Sequence, residues 1–97
     1  MPPETRTPAP PAQSLIQAYY EDNVRDVVDN RPAPVREQVA AAMKVIPPTA
    51  SGLDSWFAEH LKRAPVAQDT ALYNVLHGMK EELKKLLAPA ASSLRSV

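Results

Sequence analysis

The chain has 97 residues, eleven basic and eleven acidic side chains, no net charge at pH 7 and no cysteine. That length holds one domain at most. The even charge disfavours a general nucleic-acid binder, which gains most of its affinity by neutralising phosphates; the missing thiols exclude a disulfide scaffold, a thiolate nucleophile and sulfur-ligated zinc.

No apolar run approaches the roughly 18 residues of a membrane span, and no signal-peptide core follows Met1. The expected location is the cytoplasm, or outside the cell by export without a cleaved signal. Hydrophobic residues make up 44% of the chain, but many are alanines that bring little area to a core. With both ends set aside, about 75 residues remain to pack, and a domain of that size is thinly stable. A partner protein or a second copy of the chain would add stability by binding the folded form.

Residues 1–13, MPPETRTPAPPAQ, hold five of the eleven prolines. Proline fixes φ and donates no hydrogen bond, so this Pro-rich arm is expected to be disordered. Pro8 to Pro11 also fits a minimal PxxP ligand, without a basic residue at the usual flanking distance.

A first helix is expected over 14–29, capped by Ser14 and ended by Asn30-Arg31-Pro32. Ile16, Tyr20, Val24 and Val27 form its apolar centre, with Val28 on one side and Leu15 and Tyr19 on the other. One flat neighbour does not cover so wide an arc. Its polar side carries Glu21, Asp22, Asp26 and Asp29 against Arg25. A second helix is expected over 34–46, with Pro34 in the first position. Val35, Val39, Met43 and Ile46 line one face, and Ala40, Ala41 and Ala42 leave much of the rest smooth.

Pro47-Pro48 stops that helix, and PPTASG leads to a third over 53–63. Ser51 and Asp54 have the spacing of a capping box. Leu53, Trp56, Phe57 and Leu61 share a face, and the two aromatic residues are expected to anchor the core. Asp69 is expected to cap the longest helix, over 69–88, with a start at Pro65, a turn earlier, as the alternative. There Leu72, Leu76, Met79, Leu83 and Leu86 follow the alternating spacing of four and three that keeps one face on a partner. Tyr73, Val75 and Leu87 widen that seam. Glu81 and Lys85 stand in the favourable order for an ion pair. Gly78 interrupts the helix and marks a close approach or a bend. Pro89 ends it, and 89–97 is expected to be a flexible tail.

The fold expected from this pattern is all-α: a small up-down bundle of four helices over 14–88, its short connections favouring antiparallel neighbours.

Chemistry is scarce. His77 and Glu81, four apart on a helix, can share a metal, but Glu59 and His60 complete the set only if the fold brings them there. Two glycines do not make a phosphate-cradling loop. No nucleophile stands with a base. Neither catalysis nor a metal, cofactor or small-molecule substrate is therefore expected. The last helix is amphipathic, yet Glu81 and Glu82 dilute the cations that a membrane-surface helix displays.

The expected function is a non-catalytic protein–protein interaction module: an adaptor, a regulator or an effector fragment. It would bind a partner protein, or form a homodimer, through apolar helix faces, with Leu15, Tyr19, Tyr73 and Leu87 as contact residues. The alternative is a helix-turn-helix regulator built from 34–46 and 53–63, with His60, Lys62 and Arg63 near DNA. Those cations sit at the wrong end of the recognition helix.

Overall fold

Prolines and capping side chains set several of the helix boundaries. The computed structural model describes residues 12–88, which form an all-α bundle with no strand among the described residues. The PxxP stretch and the 89–97 tail lie outside those residues. The first helix begins at Ala12 rather than Ser14, so Ser14 is not its cap, and Ala12 and Gln13 belong to the helix rather than to the arm.

Helix α1 (Ala12–Asn23) passes into a short α2 (Arg25–Asp29) through Val24, whose φ of −118° departs from helical geometry. The ladder nevertheless runs through the break: Val24 N donates to Tyr20 O at 2.9 Å, and Val28 N donates to Val24 O at 3.1 Å. Helix α3 (Ala33–Lys44) carries Pro34 in its first turn. It stops two residues earlier than expected, and Ile46 is buried from the connector.

Helix α4 (Ala50–His60) starts three residues early, because Thr49 rather than Ser51 caps it. Thr49 Oγ1 accepts from Gly52 N at 3.2 Å. A methyl on Gly52 would meet Thr49 Oγ1 at 3.0 Å and the Pro47 ring at 3.1 Å, so the turn closes tightly only over a glycine. Helix α4 ends at His60, not Arg63. A 3₁₀ turn (Val66–Gln68) then leads to α5 (Thr70–Leu86). Asp69 caps α5 as expected, accepting from Leu72 N at 3.1 Å.

Helix α5 packs against α4 and α1, α4 packs against α3, and α3 packs against α2. The core sits between them. Leu72, Leu76, Met79 and Leu83 of α5 meet Leu53, Trp56, Phe57 and Leu61 from α4 and the residue that ends it, all buried. Ile16, Val24, Val35, Val39 and Ile46 are buried as well.

Several core positions differ from the sequence pattern. Leu86 is 46% exposed, and Leu87 packs against the core instead. The two leucines flank the seam about equally, roughly 50° to either side at 100° per residue. The neighbour decides between them, and the start of α4 lies on the Leu87 side. Val28 is buried where Val27 is only half-buried, because the break at Val24 turns α2 relative to α1. Tyr20 and Met43 are also half-buried rather than central. Ala42 and Val66 join the core unpredicted.

Candidate functional site

Two polar devices hold the corners of the bundle. Gln38 reaches from α3 to the turn after α4. Its Nε2 donates to His60 O and to Arg63 O, and its Oε1 accepts from Val66 N, each at 3.0 Å. One side chain thus satisfies three main-chain groups that no helix serves. Arg31 follows α2 and pairs with the α5 cap: its Nη2 donates to Asp69 Oδ1 at 3.1 Å. Its Nε lies 2.7 Å from Oδ2, out of line for a hydrogen bond.

Trp56 Nε1 donates to Ala42 O at 2.8 Å inside the core, tying α4 to the last turn of α3. Beside it, Phe57 meets the edges of Tyr73 and His77 at 5.4 and 5.7 Å between ring centroids. Lys80 Nζ lies 5.1 Å from the Phe57 ring centre, a cation–π distance. The Lys80 side chain is only 12% exposed, and its ammonium sits 3.2 Å from both Asp54 and Glu81. Lys84 adds a hydrogen bond to Asp54 at 3.0 Å.

The electrostatics of this cluster follow from its contacts. Hydrogen bonding from Lys84, then Lys80, holds the Asp54 carboxyl below its ordinary range. Hydrogen bonding from Lys80 does the same to Glu81. Burial pushes the Lys80 ammonium down, but its bonds to Glu81 and Asp54 outweigh that and leave it raised. The expected Glu81–Lys85 pair does not form: Glu81 turns to Lys80, and Lys85 lies 3.9 Å from Glu82. Asp54, expected to help cap α4, spends its charge on α5 instead.

His77 lies 3.9 Å from Glu81 and His60 lies 3.8 Å from Glu59, as two separate pairs. Among the described residues no three acidic or histidine side chains converge as metal ligands. The described residues also contain no helix long and apolar enough to cross a membrane.

A groove of about 570 Å³ lies between α1–α2 and α3. Ile16, Tyr20, Val28, Met43 and Ile46 supply its apolar lining, and Gln13, Gln17, Arg25, Asp29, Arg36 and Lys44 supply its polar edge. Its width has a cause in the sequence. Helix α3 faces it with Ala40 beside Met43, too small to fill the space that α1 leaves. Burial raises the Tyr20 hydroxyl pKa, with Arg25 opposing the rise and Asp29 and Glu21 adding to it.

The four expected contact residues lie elsewhere. Leu15 and Tyr19 precede the groove residues Ile16 and Tyr20 by one position, about 100° round α1. Leu15 is half-buried, and Tyr19, Tyr73 and Leu87 are half-buried against the core. The groove was not singled out in the sequence. The signal for it was the over-wide apolar arc of the first helix set against the alanine run of the second.

The basic residues invoked for DNA, Lys62 and Arg63, are exposed beyond the end of α4. The exposed positions along α4 itself are Ser51, Asp54, Ser55, Ala58 and Glu59, while Leu53 and Trp56 point into the core. Set against protein-family models, curated proteins and solved structures, the chain matches none of them.

Proposed function

We propose that the chain is a non-catalytic protein-interaction module that takes a partner protein in the groove between α1–α2 and α3. The observation that carries this reading is an open groove between α1–α2 and α3 lined by Ile16, Tyr20, Val28, Met43 and Ile46. A concave apolar surface with a polar edge is what a helix-in-groove contact uses. The Leu15–Tyr19 edge supports it less well, because Tyr19 spends part of its surface on the core. Adaptor, regulator and effector fragment are all compatible with such a module. The helix-turn-helix alternative gains little from α4, whose solvent face offers Asp54 and Glu59 to a phosphate backbone.

The test is a tagged pull-down from the source cell lysate, with and without nuclease, using the native chain and Ala40→Trp. Ala40 is exposed at the groove, so tryptophan there blocks the opening without entering the core. A stoichiometric protein that survives nuclease and is lost with Ala40→Trp supports the reading. Nucleic acid that co-purifies, with proteins lost on nuclease treatment, overturns it in favour of DNA binding.

A further inference from the structure

Resting on that reading, we infer that the groove's partner is an acidic amphipathic helix of another protein, its apolar stripe in the groove and its carboxylates on α3. The argument is the balance of charge around the opening. Four charged side chains line it: Arg25, Asp29, Arg36 and Lys44. Arg25 is already committed, 2.6 Å from Glu21 and 3.8 Å from Asp29. Arg36 donates its Nε to Arg31 O at 2.8 Å, and neither it nor Lys44 forms an ion pair among the described residues. The α3 edge is therefore a cationic rail beside an apolar trough.

Arg36 and Lys44 are eight residues apart, so their charges stand about 12 Å apart along α3. Carboxylates two turns apart on a docked helix match that spacing. Leucine-type residues at i, i+3 or i+4 and i+7 would then face Tyr20 and Met43, the half-buried side chains of the groove.

The chain does not supply this complement itself. Residues 1–11 carry one acid, Glu4, beside Arg6, and residues 89–97 carry Arg95 and no acid. A second copy offers Asp22 and Asp26 on α1–α2, but the apolar stripe of that helix, Ile16, Val24 and Val28, is buried in its own core.

The experiment uses the full chain and two labelled peptides that are helical by design. Both carry leucines at i, i+3 and i+7; one has glutamates two turns apart beside them, and the other has lysines there. Fluorescence anisotropy should show the acidic peptide binding about tenfold more tightly than the basic one, with the gap shrinking as salt is added. Arg36→Glu with Lys44→Glu should reverse the preference, and Ala40→Trp should abolish binding of both. Equal binding of the two peptides, no binding of either, or a preference that survives the double variant would overturn the acidic-helix assignment. So would a concentration-dependent dimer that Ala40→Trp disperses, since the groove would then hold a second copy. The double variant also separates this inference from the reading beneath it. A lysate partner lost with Ala40→Trp but kept with Arg36→Glu/Lys44→Glu leaves the interaction module standing and removes the acidic helix.

Discussion

The two sides of the bundle are built on different terms. Where α4 meets α5, large side chains fill the contact: Leu53, Phe57, Leu61, Leu72, Leu76, Met79 and Leu83 are all fully buried. A lysine with two acidic neighbours braces that side. Where α1–α2 faces α3, valine and alanine predominate, Tyr20 and Met43 are half-buried, and a groove stays open. A chain this short has few bulky residues, and it has placed most of them on one side. Stability is thus concentrated in α4–α5, while the side with less apolar bulk keeps a groove.

Breaking the α4–α5 side should cost most. Phe57→Ala removes the ring that touches Trp56, Tyr73, His77 and Lys80, and should destabilise by about 3–5 kcal/mol in urea unfolding. Leu76→Ala, at a fully buried position, should cost about 2–5 kcal/mol. Met43→Ala on the groove side should cost clearly less than either, because part of its side chain already faces water. If Met43→Ala proves as damaging as Leu76→Ala, the contrast between the sides is wrong.

Gln38→Ala should come next. It strands two carbonyls and one amide at a partly buried corner, a loss of about 1–3 kcal/mol. Hydrogen exchange should rise first at Val66 N, the amide that Gln38 alone covers.

Gly78 should move stability the other way. A Cβ there meets nothing within 4 Å, so the glycine does not mark the close approach that its position suggested. Gly78→Ala should stabilise by about 1 kcal/mol, raising the melting temperature by about 4–8 °C for a domain of this size.

The smallest effect is in pH. Asp54 and Glu81 have lowered pKa values when folded. Their contribution is whole above the ordinary carboxylate range and is lost as pH falls through their folded values, below about pH 4. Lys80 has a raised value, so its contribution is whole below its ordinary value and is lost as pH rises beyond about 10. Both carboxylates are well exposed, so solvent screens the effect. Lys80→Met should flatten the acid limb of a stability–pH curve measured by urea midpoint; an unchanged limb would show that Lys80 itself contributes nothing to it.

Most of the helical framework was legible because prolines and periodic apolar residues act locally. Pro32, Pro47-Pro48 and Asp69 each mark a boundary within a few residues. What the sequence hid depends on neighbours. Leu86 and Leu87 are equivalent until α4 arrives beside one of them. Val28 enters the core only because the helix breaks at Val24, a residue with no breaking signal of its own. Gln38 reads as an ordinary polar position, since its three partners lie 22 to 28 residues away. Of the candidate site, the wide arc of α1 was visible. Its pairing with the alanines of α3 was not, because nothing local says which two helices fail to close.

The Lys80 contact has a further consequence, for alignment rather than strength. Leucine seams tolerate sliding: a shift of α5 by one turn would still set leucine against apolar surface. Lys80 does not tolerate it. A slip of one turn, about 5.4 Å, would carry the ammonium off the Phe57 ring and away from Asp54, leaving it only Glu81, which moves with it on α5. The lysine acts as a detent between two smooth surfaces, permitting one setting of α5 against α4.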